Sequence, residues 1–401
     1  MKIIDLNKFS DRVINSSNSA LQRRVARLEK IKYEVFAHQS DGLDKSKFIF
    51  TVSIATYNRY EFLKIALNSV LNQTYKNIEI ILIDQSGDQQ VSDYCYEAFL
   101  KYQNIKLIRI KGEKYKYEKF KYFDDIDEPV INMWNAALFC SIGNCIYPLS
   151  DDDYFGTDFI ERMVILFLKN NNCVTVGGGV QSVDIYGNDN YGLFKYSLAR
   201  YTSASAFINN SIEKGAEYFT HPGTYYTVKS QLLIENGGWD FWSDSSPIFR
   251  IMIYGDFGYD SDAILYWRHH PNQAHWLNHG CIFYSGLMQW LKDYEVLSNI
   301  EKTLGRETVV AFDKWFSNYA INGIKQAFYY ACESGSIQNI LFSLREIQRQ
   351  YPGFKIYQYV PLSVIVNKYL RGNLLRAYFS SNVAQKFWRK LKLLRATISK
   401  K

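Results

Sequence analysis

Three short apolar runs, spaced so that a helix fits between each pair, limit what this chain can fold into more than any other feature. Residues 48–55 carry Phe48, Ile49, Phe50, Val52 and Ile54. Residues 78–83 carry Ile78, Ile80, Ile81, Leu82 and Ile83, and residues 105–110 carry Ile105, Leu107, Ile108 and Ile110. Each run is rich in β-branched or aromatic residues, short, and close to continuously apolar, as a strand buried on both faces must be. Between the first two, Phe62, Ile65, Ala66 and Val70 recur at helical spacing, and residues 92–101 read as a second helix. Strand–helix–strand at this rhythm predicts crossover connections and a parallel sheet covered by helices. Ligands of such sheets bind beyond the carboxyl ends of the strands. Thr56 to Arg59, Asp84 and the run Asp151, Asp152, Asp153 all fall at such ends.

The aspartate run is the sharpest chemical signal. Three adjacent carboxylates repel one another unless a positive charge sits among them. A hard divalent cation, Mg²⁺ or Mn²⁺, meets that need, because it takes oxygen ligands and shares its other positions with phosphate. An isolated acidic run also reads as a solvated turn; its place after an apolar strand favours the site.

A chain of 401 residues accommodates one large α/β domain with an appendage, or two domains. Residues 1–46 read as a helical extension, on the spacing of Leu21, Val25, Leu28 and Ile31. Residues 47–272 carry the strand–helix rhythm, and 273–401 are mostly helical in pattern. Residues 112–129, dense in Lys and Tyr, read as a loop. The six cysteines are scattered with no CxxC pair, which suggests reduced thiols and a cytoplasmic setting. The N-terminus lacks an apolar signal core, and no run reaches the length of a membrane span. Charge is uneven: eleven of the 47 Lys/Arg and none of the 40 Asp/Glu lie in residues 353–401, so the remainder nets −4. Within that tail Val383, Phe387, Trp388, Leu391 and Leu394 fall largely on one helical face, with Lys386, Arg389, Lys390 and Lys392 mostly opposite. A basic amphipathic helix suits an anionic membrane surface, here the inner face of the plasma membrane; packing on the body of the protein is the alternative. No nucleic-acid recognition module is apparent.

Five segments, in order, resemble family 2 glycosyltransferases. They are Val52 to Arg59 with Leu63, Ala66, Leu67, Gln73, Thr74 and Tyr75; Ile78 to Asp84 with Ser86 and Asp88; Asn135 and Ala136 followed by Gly143 to Ile146 and Leu149 to Phe155; Gly237, Gly238, Trp239 and Asp240 with Asp244 and Arg250; and Tyr266 to His270. The resemblance covers residues 50–272. Ser150 and Ser243 stand where the family commonly has acids.

The resemblance implies a GT-A (Rossmann-like) α/β fold, its mixed, mainly parallel sheet flanked by helices, with a mostly helical C-terminal region. It implies an inverting, metal-dependent transfer of a sugar from a nucleoside diphosphate, UDP foremost, to a hydroxyl of a glycan or lipid-linked acceptor. Asp151 and Asp153 would hold Mn²⁺ or Mg²⁺, with His270 a third ligand, on the reasoning that alternate residues of an extended segment face one way. Thr56, Asn58, Arg59, Asp84, Asn135, Asp151 and Asp152 would contact the donor, Asp84 at the base. Asp244 would act as general base, and Trp239 and Asp240 would contact the acceptor. Two other readings remain: a sugar nucleotidyltransferase, which usually needs a Gly-rich basic loop that residues 56–60 lack, and a non-catalytic glycan- or membrane-binding scaffold, which the serines at 150 and 243 permit.

Overall fold

The computed structural model describes residues 2–3, 13, 18–29, 33–110, 129–195, 198–214, 226–239, 250–270, 296–314 and 344–345. The chain divides into two compact units: Met1–Pro271 with Trp290–Trp315, and Asn272–Gln289 with Phe316–Lys401. Of the second, only residues 344 and 345 are among those described. The loop expected at 112–129 and the basic tail fall almost wholly or wholly outside the described residues.

The described strands are β1 (Lys2–Ile3), β2 (Tyr33–Ala37), β3 (Phe50–Thr56), β4 (Ile78–Asp84), β5 (Ile105–Ile110), β6 (Cys145–Ser150), β7 (Tyr154–Phe155), β8 (Cys173–Val183), β9 (Asp189–Phe194), β10 (Tyr201–Thr202), β11 (Thr227–Lys229) and β12 (Asp256–Arg268). The helices are α1 (Ser19–Leu28), α2 (Tyr60–Leu71), α3 (Gln89–Lys101), α4 (Pro129–Cys140), α5 (Phe159–Lys169), α6 (Ala204–Lys214), α7 (Ser230–Glu235) and α8 (Val296–Leu304). The strands join in one mixed sheet of order β1-β2-β5-β4-β3-β6-β11-β8-β12-β10, with β7 beside β12 and β9 beside β8. Its centre, β5-β4-β3-β6, is parallel throughout.

The apolar runs of the sequence form that centre for the expected reason. Along β4, Ile80 and Leu82 face a core built with Leu63, Leu67 and Val70 of α2 and Val91 and Phe99 of α3. Ile81 and Ile83 face a second core with Leu21 of α1, Met133 and Leu138 of α4, and Trp239. Strand side chains alternate between faces, so only a continuous apolar run can fill both cores.

One element differs from the sequence reading. The first 46 residues supply a helix, α1, but also β2, which pairs antiparallel with β5 and extends the sheet. Gly177, Gly178 and Gly179 lie within β8, and β12 presses close. A Cβ on Gly178 would stand 2.2 Å from the Ala263 carbonyl oxygen, opposite a register shift in β12 between Asp260 and Ile264. Glycine is required there by lack of room.

Candidate active site

The central strands end level with one another. Thr56 pairs with Asp84, Asp84 with Arg109, and Ala55 with Ser150. Directly beyond Ser150 the chain turns: the Asp153 amide donates to the Ser150 carbonyl at 3.2 Å. Asp151 and Asp152 therefore occupy a turn, not a continued strand, and the alternation that paired Asp151 with Asp153 does not apply. The acids that face a common side-chain cation here are Asp151 and Asp152.

The shared cation is Arg59. Its Nη1 donates to Asp151 Oδ1 and to Asp152 Oδ2, at 2.9 Å in each case. His270 Nε2 lies 2.9 Å from the same Asp152 Oδ2. Asp153 is held apart from these two, accepting from the Arg268 amide at 2.9 Å. The Arg268 side chain lies between the rings of Phe62 and Tyr154, 4.8 and 5.2 Å from their centroids. All three aspartates are buried, as are Arg268 and His270. Burial, then the neighbouring Asp152 charge, pushes the Asp151 carboxyl up to about 6 against the pull of Arg59. Burial and Asp152 likewise raise Asp153 well above the usual carboxylate range. For Asp152 burial is outweighed: the hydrogen bond to His270 and the charge of Arg59 hold its carboxyl below that range. The cluster thus gathers three buried carboxyls beside Arg59, Arg268 and His270, and burial opposes the ionisation of two of the three.

On the adjoining side of the crevice, Asn58 is the only described non-glycine residue with positive φ, at 55°. Its side-chain oxygen accepts from the amides of Gly87 and Asp88 at 3.0 and 3.1 Å, and its own amide donates to Ser86 Oγ at 3.0 Å. Asparagine tolerates this backbone and bonds locally, so Asn58 stitches the loop after β3 to the loop after β4. Asp84, 1% exposed, accepts from the Ser86 amide at 2.9 Å and pairs with Arg109 Nε at 3.4 Å. It does not cap the following helix; Asp88 does, accepting from Gln90. Thr56 is buried at the end of β3.

Asn135 lies elsewhere. Its amide clasps the backbone of Trp239 in both directions, donating to the carbonyl and accepting from the amide at 2.9 Å each. Arg250 completes the clasp by donating to the carbonyls of Asn236 and, at 2.6 Å, Gly238. The Trp239 ring is 1% exposed and meets Trp134 edge-on at 5.6 Å. Asn135 thus braces the turn at Trp239, and the Trp239 side chain belongs to the core. Asp240 and Asp244 lie outside the described residues.

Sequence reasoning assigned no role to Arg109 or Arg268. Arg109 was visible one place before the end of the third apolar run, level with Asp84; Arg268 is two positions before His270. The donor set, buried carboxyl oxygens with one imidazole, suits a hard divalent cation. As they stand, no three His, Cys, Asp or Glu side chains among the described residues are gathered to hold a metal. The set Asp151, Asp153 and His270 is not assembled; Arg59 bridges Asp151 and Asp152 instead.

Residues 51–230 match the sequence model of Glycosyl transferase family 2. Over that stretch the chain is similar to family 2 glycosyltransferases. It is 24% identical over 135 residues to an uncharacterized glycosyltransferase of Haemophilus influenzae, covering 34% of this chain and 38% of that protein. Over 116 residues it is 29% identical to WfaP of Escherichia coli, named UDP-Glc:alpha-D-GlcNAc-diphosphoundecaprenol beta-1,3-glucosyltransferase, covering 29% of this chain and 40% of WfaP. The chain thus spans less than half the length of these relatives. Among solved structures, residues 1–349 of Staphylococcus aureus TarS, crystallised with UDP-GlcNAc, superpose with a TM-score of 0.50 at 13% identity, covering 76% of this chain and 89% of that one. That likeness supports the GT-A fold.

Proposed function

We propose that this protein is an inverting glycosyltransferase that moves a sugar from a nucleoside diphosphate to a hydroxyl of a glycan or lipid-linked acceptor. The observation that carries the reading is the buried acid cluster at the carboxyl ends of the parallel strands, with Arg59 and His270 on Asp152. The donor diphosphate lies against that cluster, its base toward Asp84 and Arg109. UDP is the favoured donor nucleotide, because the relative WfaP is named for UDP-Glc and the TarS structure holds UDP-GlcNAc. The imide N–H of uracil then donates to Asp84, and the Ser86 amide keeps the carboxylate turned to receive it.

Asp152 and His270 would hold Mn²⁺ or Mg²⁺, with Asp151 beside them, and the ion would act as a Lewis acid on the leaving diphosphate. The protein's own part is orientation. Asn58 fixes the two loops that flank the nucleotide, and the Arg268 amide aims Asp153. Asp244, in the segment between Trp239 and Arg250, takes the proton of the acceptor hydroxyl as that oxygen attacks the anomeric carbon from the face opposite the diphosphate. The anomeric configuration of the product is therefore inverted. No described helix is long and apolar enough to cross a membrane. The basic tail, residues 353–401, binds an anionic membrane surface and so brings the enzyme to a lipid-linked acceptor.

Nucleotide release tests this reading. The protein is incubated with UDP-, dTDP- and GDP-sugars, with and without Mn²⁺. Mn²⁺-dependent release from one donor, lost in Asp244→Asn while donor binding persists, is expected. Binding of no donor sinks the proposal.

A further inference from the structure

Arg59 stands where two requirements collide. Asp152 Oδ2 is held by Arg59 Nη1 and by His270 Nε2, each at 2.9 Å. The same Nη1 reaches Asp151 Oδ1 at 2.9 Å. A divalent ion on Asp152 would have to share that carboxylate with a guanidinium, and two cations so close repel strongly where water is excluded. The acids cannot stand alone either: without Arg59, two adjacent buried carboxylates face each other uncompensated.

The surroundings favour exchange. The Asp151 and Asp152 side chains are 6% and 10% exposed, whereas the Arg59 side chain is 26% exposed and is the more open to solvent. The backbone around it is fixed. Asn58 is tied to Ser86, Gly87 and Asp88, and the Arg59 carbonyl accepts from Leu63 in the first turn of α2. Only the long side chain needs to rotate. A diphosphate at the mouth is a strong alternative partner, because guanidinium binds phosphate through charge-assisted, geometrically matched hydrogen bonds.

We propose that Arg59 is a built-in counter-ion that competes with the divalent cation for Asp151 and Asp152, and that the nucleoside diphosphate draws it away, so that metal and nucleotide bind cooperatively. The inference rests on the glycosyltransferase reading and assigns the residue that couples its two ligands. Coupling of this kind is reciprocal: each ligand tightens the other by the same factor.

The test is equilibrium binding of Mn²⁺, followed by the loss of the free-ion paramagnetic signal, to the full chain without nucleotide and then with saturating UDP. Arg59→Ala is expected to bind Mn²⁺ alone about tenfold or more tightly than the unaltered protein, because a competing cation is gone. The factor by which UDP tightens Mn²⁺ is expected to shrink in proportion. Arg59→Gln, which keeps hydrogen-bond donors without the charge, gives the same gain should the alanine variant fail to fold. Arg59→Lys restores the competition. Unchanged or weaker Mn²⁺ binding by Arg59→Ala or Arg59→Gln, while the unaltered protein binds Mn²⁺ with UDP, overturns the exchange and leaves the enzymatic reading intact. If the unaltered protein binds no Mn²⁺ with UDP, both fall.

Discussion

The same strands carry buried acid at both ends, and the two ends are built on different principles. Near the amino ends, Glu79 of β4 is 1% exposed, yet every demand it makes is met. One carboxylate oxygen accepts from Thr51 Oγ1 at 2.6 Å and the Ile142 amide at 2.9 Å; the other pairs with Lys106 at 2.6 Å. Lys106 in turn donates to the Cys140 carbonyl at 2.8 Å. One acid meets one base. At the carboxyl ends, Asp151 and Asp152 share Arg59, Asp153 stands next to them on the Arg268 amide, and burial raises two of the three. A fold that needed only stability would not crowd its acids in this way. A satisfied pair points to architecture, and clustered acids whose ionisation burial opposes point to a ligand site.

The largest expected effect lies at the carboxyl ends. Asp152→Asn should weaken Mn²⁺-dependent UDP binding by about a hundredfold or more, since it removes a charged ligand from a buried site. Titration calorimetry measures this, and unaltered affinity would erase the functional half of the contrast. Next in size, Glu79→Ala should cost about 2–4 kcal/mol in denaturant unfolding, because Thr51 and the Ile142 amide lose their buried acceptor and the half-buried Lys106 loses its counter-charge. Nucleotide affinity well below the melting temperature should hardly change. Replacing both partners, Glu79→Met with Lys106→Met, should recover most of that loss. Asn135→Ala should cost about 2–4 kcal/mol, from two buried backbone groups at Trp239 that lose their partners, and fluorescence of Trp239 and Trp134 should report the loosened packing. Smallest is Asp153→Asn. The amide keeps an oxygen for the Arg268 N–H and relieves like-charge repulsion, so the melting temperature in EDTA should hold steady or rise. A fall of several degrees would show that the acid cluster is structural after all, like Glu79.

The central strands were legible because their signal is local. Ile78 to Ile83 is apolar at every position but one, and only a two-faced strand uses such a run. β2 was not, because Tyr33 to Ala37 earns its place by pairing with β5 some seventy residues later. The short strands β10 and β11 have the same origin. Within the site, Arg59, Asp151, Asp152 and His270 were all visible as residues. Their partnership was not, since it depends on a turn at Asp153 that strand periodicity does not foresee. Asn135 looked like a donor contact because its neighbours match the family pattern; its hydrogen-bond partner, Trp239, lies 104 residues away.

That clasp has an evolutionary consequence. Asn135 and Arg250 fasten the stem of the segment between Trp239 and Arg250, so the ends of that segment meet whatever its contents. Lengthening a loop whose ends are already joined costs only about 0.6 kcal/mol for each doubling of its length. Insertions and rewritten side chains between these anchors can therefore accumulate with little penalty to folding. On the proposed reading, a lineage can thus change its acceptor while the acid cluster at the strand ends stays as it is.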